Sequence, residues 1–179
     1  MLFVHYNCPS VERLIGKWSQ NNYILYILSG KLAYHTPGHS WLLTTGSAVF
    51  IKKGAGIMQK FFEETLCIMT FFVPDSYLSS FIRENHSSIQ RGDSKDPSPD
   101  LIIPLDVTGM MRAYFDSMIP YFMAEKTPSE DLLELKFREL LLNIITNPAN
   151  EELNRYLQTL QLPHVDRLHQ IMEANCLST

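Results

Sequence analysis

Between Leu2 and Val73 short runs rich in Tyr, Ile, Val and Phe follow one another, each closed by residues that reverse a chain. The clearest are Tyr23 to Leu28, Lys31 to His35, Ser40 to Leu43, Ser47 to Ile51 and Leu66 to Val73. Asn21-Asn22, Ser29-Gly30, Pro37-Gly38 and Thr45-Gly46 separate them, supplying the positive or fixed φ that a tight reversal needs. β-branched and aromatic residues at this spacing predict successive antiparallel strands. Several runs are apolar at consecutive positions rather than alternate ones. Both faces of those strands therefore need cover, by an opposing sheet on one side and helices on the other.

After Pro74 the period lengthens. Tyr77, Leu78, Phe81 and Ile82 form one stripe of a short helix opened by Asp75 or Ser76. His86 to Asp100, rich in Ser, Asp and Pro, reads as a solvated loop, and a last strand follows at Leu101 to Leu105. Met110 to Met123 and Pro128 to Ile145 read as long helices, the second opened by Thr127 as cap, with Pro128 as its first residue and Glu130 as its third. That helix carries a dense stripe, Leu133, Phe137, Leu140, Leu141 and Ile144, with Leu135 and Leu142 nearly opposite. Asn147-Pro148-Ala149-Asn150 ends it. A polar segment, Glu151 to Gln161, then leads to an amphipathic stretch with Val165, Leu168, Ile171 and Met172 on one side. The fold class is α+β.

Fifteen Lys and Arg against nineteen Asp and Glu leave a net charge of -4, so no broad basic surface is present to neutralise DNA phosphates. Cys8, Cys67 and Cys176 are odd in number and far apart, and no N-terminal apolar stretch ends in a cleavage site. That pattern predicts a reduced, cytoplasmic chain. Apolar runs such as Phe71-Phe72-Val73 fall far short of the ~20 residues that span a bilayer, so no membrane span is expected.

Catalytic constellations are missing from the pattern. There is no GxSxG elbow, and Gly54-Ala55-Gly56 reads as a turn because Gln59 stands where a dinucleotide loop needs its third Gly. Cys67 lies in an apolar run, where burial raises rather than lowers a thiol pKa, and Glu63-Glu64 reads as a solvated acidic pair. No catalytic residue, cofactor or metal ligand is assigned.

The stretch Gly30 to Phe61 nevertheless resembles the core of the cupin superfamily, with Gly30, Gly46 and Gly54 on its glycine positions. The metal-ligand positions hold Thr36, Gly38, Leu42 or Leu43, and Ile57, which offer almost no lone pairs to a cation. The resemblance thus implies a degenerate jelly-roll barrel without its metal site. The competing reading is a small metal-dependent cupin enzyme, an isomerase or dioxygenase, built on His35 and His39 one residue off register. Pro37-Gly38 between those two excludes a helical pair but not a meeting across a hairpin.

Three segments, Tyr23 to Gly54, Leu132 to Ile145 and His164 to Asn175, look like the N-terminal domain of an AraC-family transcription regulator, nearest to the activators of type III secretion genes. The resemblance implies a cupin-like barrel in 1–105, a helical dimerisation region in 106–148, and in 149–179 a linker with the first helix of a DNA-binding domain. DNA would be read only by recognition helices beyond Thr179, which makes the chain a fragment. It also implies a homodimer that answers to a regulatory protein or a small-molecule effector. The stripe Leu133, Phe137, Leu140, Leu141 and Ile144 is then the expected dimer contact, the alternative being that both faces of the helix are buried within the chain. A barrel pocket would be lined by Tyr26, Leu28, Leu32, Tyr34, Phe50 and Phe71. Their bulk equally fits a filled interior, which would move regulation to surface contacts with a protein partner.

Overall fold

Strands β1 (Leu2–Asn7), β2 (Leu14–Ser19), β3 (Asn22–Ser29), β4 (Lys31–Thr36), β5 (His39–Thr44), β6 (Ala48–Ile51), β7 (Gly54–Lys60), β8 (Cys67–Val73) and β9 (Ile102–Leu105) make two antiparallel sheets. A five-stranded sheet runs β1-β8-β3-β6-β9 and a four-stranded sheet runs β2-β7-β4-β5. This computed structural model describes residues 2–7, 13–61, 65–85, 97–124 and 128–161. Cys8, Cys176, Glu63, Glu64, Thr127, most of the polar loop and the amphipathic stretch after Gln161 lie outside the described residues.

The consecutive apolar residues of β3 do what such a run requires. Tyr23, Leu25 and Ile27 face the opposing sheet, together with Leu32, Tyr34, Val49, Ile51, Met58 and Ile68. Ile24 and Tyr26 point the other way, with Phe50, Met69 and Phe71, into a second core under the helices. Side chains alternate along a strand, so each residue serves one layer only.

Three strands, β1, β2 and β7, lie outside the runs singled out in the sequence. In β2 exposed and half-buried residues alternate through Leu14–Ser19, which leaves little apolar signal. Strand β7 begins with Gly54-Ala55-Gly56, expected to be a turn; here the small residues make room instead. Gly56 lies directly against Tyr34, and a β-carbon there would overlap the ring, with Cζ and the hydroxyl oxygen each 2.7 Å away. Gly30 serves a reversal: its φ of 79° suits the turn between β3 and β4, and an added β-carbon would stand 3.0 Å from the Leu66 backbone.

Helix α1 (Asp75–Glu84) follows β8, with Pro74 rather than Asp75 or Ser76 in the cap position and no side-chain cap bond. Asp75 is drawn off to other partners, described below. Helix α2 (Gly109–Met123) is capped by Thr108, whose hydroxyl accepts from the Met111 amide at 3.2 Å. Helix α3 (Glu130–Ile145) starts later than expected, capped by Ser129, with Glu130 and Asp131 in the first turn where acids complement the helix dipole. After the 3₁₀ turn Pro148–Asn150, the polar segment forms helix α4 (Glu151–Thr159), which buries Leu153, Tyr156 and Leu157. All four helices contribute to the core beneath the five-stranded sheet. Among the described residues no helix is long and apolar enough to cross a membrane.

Candidate functional site

Four places were open to function: the barrel interior, the two histidines, the helical layer and the outer sheet face. The six residues expected to line one pocket are divided between two cores. Leu32 and Tyr34 face the space between the sheets, whereas Tyr26, Phe50 and Phe71 are buried under the helices with Leu28 packed beside them. A run apolar at every position conceals which parity faces inward, and the six residues fall in both layers. The space between the sheets is occupied by side chains that are themselves fully or almost fully buried, Tyr23, Leu25, Leu32, Tyr34, Val49 and Ile51 among them. The Tyr23 and Tyr34 hydroxyls share a hydrogen bond of 3.1 Å. Burial, above all, and then the Tyr34 hydroxyl hold the Tyr23 pKa far above the ordinary tyrosine range.

At one end of this space the Lys17 ammonium lies over the rings of Tyr23 and Phe72, 4.6 Å and 5.4 Å from their centroids. Burial lowers its pKa, as expected for a cation leaving water for an aromatic setting. Among the described residues no carboxylate pairs with it.

The histidines do not converge. His35 is held at both ring nitrogens, Nδ1 by the Ser40 hydroxyl and Nε2 by the Gln59 side-chain oxygen, each at 2.8 Å. His39 is exposed and points to Asp100, 3.3 Å away. Among the described residues no group of three His, Cys, Asp or Glu is placed to hold a metal ion. The partners of His35, an amide oxygen and a hydroxyl, orient the ring without adding a ligand set.

The apolar stripe of α3 turns inward. Phe137, Leu140, Leu141 and Ile144 are fully buried within the chain's own core, and Leu133 is half-buried. Phe137 packs against Phe71 and Tyr77, with ring centroids 6.2 Å and 5.5 Å apart. The stripe expected at the dimer contact is therefore spent on the chain's own sheet, which offers a larger apolar area than a second helix would. Leu132 and Leu135 remain exposed on α3, beside Lys136 and Glu139, which pair at 2.9 Å.

Sequence reasoning missed a polar node joining barrel and helices. Asn22, fully buried at the start of β3, donates from Nδ2 to Asp75 Oδ1 at 2.6 Å. Its Oδ1 accepts from the Lys53 amide and from the Tyr156 hydroxyl, each at 3.0 Å. Lys53 Nζ closes the ring on Asp75 Oδ2 at 2.6 Å. Tyr156 belongs to α4, the last described helix, and the Lys52 ammonium lies 4.9 Å from its ring centroid. Asn21-Asn22 carries only a turn signal in sequence, since its three partners, Lys53, Asp75 and Tyr156, are remote along the chain.

The outer face of the four-stranded sheet was missed as well. Paired residues share a face, so Leu14, Gln59, Ala33 and Leu42 form one row, Gly16, Ile57, His35 and Ser40 a second, and Trp18 with Ala55 a third. On this face Leu14 is 62% exposed, Trp18 68%, Leu42 62% and Ile57 47%. The three rows contain no Asp, Glu, Lys or Arg.

The family described as the ExsA N-terminal regulatory domain matches residues 22–156 of this chain. The thermoregulatory protein LcrF of Yersinia pestis is 22% identical over 154 residues, which span 86% of this chain and 56% of that protein. The chain thus spans little more than half the length of this curated relative. ToxT of Vibrio cholerae is similar in structure, with a TM-score of 0.54 and 12% identity over 80% of this chain and 55% of that one. Its complex with (E)-4-(8-methylnaphthalen-1-yl)but-3-enoic acid gives a TM-score of 0.50 and 11% identity over 80% of this chain and 55% of that one. The ToxT likeness shows the fold, antiparallel β-sheets with helices packed on them.

Proposed function

The chain belongs to the ExsA N-terminal regulatory domain family, in agreement with the AraC-type likeness of its sequence, and from that premise we propose that it senses a protein effector for a transcription activator of type III secretion genes. It acts without catalysis, in the cytoplasm, as a self-associating unit. DNA is contacted by a C-terminal domain that this unit positions. Residues 1–105 supply the barrel, 106–148 the helices that couple it, and 149–179 the way to the DNA-binding part. A protein effector is favoured because the space between the sheets is filled by buried side chains.

The observation that supports this reading best is the buried hydrogen bond from Tyr156 to Asn22. It ties the last described helix to the barrel, so an effector that shifts the barrel edge displaces the segment leading to the DNA-binding part. Removing one buried hydroxyl costs about 1 kcal/mol and leaves the fold intact. In the activator with its DNA-binding domain, Tyr156→Phe is expected to alter reporter transcription and its response to the effector at unchanged protein level. A reporter response identical to wild type would exclude this route.

A second reading is favoured by Lys17. Its ammonium, on two aromatic faces and with no carboxylate paired to it among the described residues, suits a small organic carboxylate, and the similar ToxT structure holds a carboxylic acid. Calorimetry of this chain with that acid is expected to give saturable binding that Lys17→Met weakens at least tenfold. Absence of heat, or equal binding by the variant, would remove the small-molecule reading.

A further inference from the structure

We propose that residues 98–101 form a strap across one end of the barrel, through which the β4–β5 hairpin holds helix α4 in place, with Lys52 as the pivot. The inference rests on the coupling of barrel to α4 put forward above and names a second route for it, one that an effector reaches from the surface.

The strap is held from two sides. Its Asp100 carboxylate stands 3.3 Å from Nδ1 of His39, an exposed residue at the start of β5. Lys52, between β6 and β7, grips the same segment twice: its amide donates to the Leu101 carbonyl at 2.9 Å and its ammonium to the Ser98 carbonyl at 2.6 Å. The Asp100 amide donates to the Ser98 hydroxyl at 3.1 Å, which closes the segment into a local turn. Leu101 seats it, since its Cδ1 would lie only 2.9 Å from a β-carbon on Gly54 and glycine leaves the room.

The Lys52 ammonium also lies 4.9 Å from the Tyr156 ring centroid, so one side chain touches strap and helix at once. Burial lowers its pKa, and the carboxylates of Glu152 on α4 and Asp100 on the strap act against that fall. Glu152 gives the ammonium a second place to go, one helical turn before Tyr156. With the strap seated, Lys52 donates to Ser98 and covers the Tyr156 ring. With the strap lifted, that carbonyl is lost, the ammonium turns to Glu152, and the buried bond from Tyr156 to Asn22 opens to water. A partner that draws His39 away from Asp100 thereby loosens α4 without touching it. Two discrete arrangements at one pivot are what coupling between separated sites requires.

Amide hydrogen exchange of the 179-residue chain tests the proposal. Lys52→Met keeps the apolar stem and removes the donor, so the amides of α4 should exchange about tenfold faster while those of β3 and β8 keep their protection. His39→Ala and Asp100→Ala alter the far side of the strap, and each should still speed exchange in α4 by about threefold. Combined with Lys52→Met, neither should add to its effect, because all three act through one contact. Unchanged α4 protection in both far-side variants, an additive effect in the combinations, or a uniform loss that includes β3 and β8 would each overturn the strap. The readout needs neither effector nor DNA. A Tyr156→Phe reporter response identical to wild type would therefore remove the effector route and leave the strap standing, whereas failure of the exchange test would remove the strap alone.

Discussion

Phe137→Ala is expected to lower the unfolding free energy by about 3–5 kcal/mol, read as a fall in the denaturation midpoint of the isolated chain. Phe137 is fully buried at the centre of α3, between Phe71 of β8 and Tyr77 of α1. Truncation there leaves a cavity bounded by a sheet on one side and a helix on the other, and neither can collapse far to fill it. Small domains have only about 5–15 kcal/mol to lose, so the effect is a large fraction of the whole. Phe137→Glu should go further and prevent folding, because its carboxylate would be buried with no partner. Leu135→Glu on the same helix is 64% exposed in the parent and should stay within about 0.5 kcal/mol of wild type. If Phe137→Glu melted like wild type and only lost self-association, the stripe would be an interface after all.

That contrast marks where sequence reading stopped. A helix with a dense apolar stripe reports that the stripe is covered, not by what. Here a five-stranded sheet is available within the same chain, and burial against it requires no loss of translational freedom, so the intramolecular partner wins. β3, β4, β6 and β8 were readable because each is an apolar run ended by a turn former. β2 and β7 were not, since one alternates exposed with half-buried residues and the other opens on Gly, Ala and Gly.

The same alternation explains both errors at the candidate site. Tyr26 and Tyr34 are equally apolar in pattern, yet one belongs under the helices and the other between the sheets, a difference of parity that a continuous run conceals. Exposed Leu14, Trp18, Leu42 and Ile57 sit on three strands far apart in sequence and become one surface only through the register of β2, β7, β4 and β5. The cupin and AraC-type likenesses, by contrast, drew on the spacing of glycines and short runs, which survives when individual side chains change.

Asn22 should be the most sensitive polar residue of the chain. Asn22→Ala removes at once the acceptor of the Lys53 amide and of the Tyr156 hydroxyl and the donor to Asp75. Each buried group left without a partner costs about 1–3 kcal/mol, so a loss of about 3–4 kcal/mol is expected by chemical denaturation, well above that of Tyr156→Phe. Asn22→Asp separates the roles of the two side-chain atoms. It keeps both acceptor bonds but sets a carboxylate against Asp75 Oδ1, where the amide nitrogen stands at 2.6 Å. Two like charges at that distance raise the pKa of the introduced acid above its unfolded value of about 3.9. A folded state that holds a proton more tightly than the unfolded chain loses stability as pH rises. Relative to wild type, Asn22→Asp should therefore be nearly neutral below about pH 4, where the protonated acid donates to Asp75 in place of the amide, and increasingly destabilised as pH rises toward 7. Lys53, paired with the other oxygen of Asp75, reduces the penalty without reversing its sign. A stability difference from wild type that stays flat across this range would mean that Asn22 does not face Asp75.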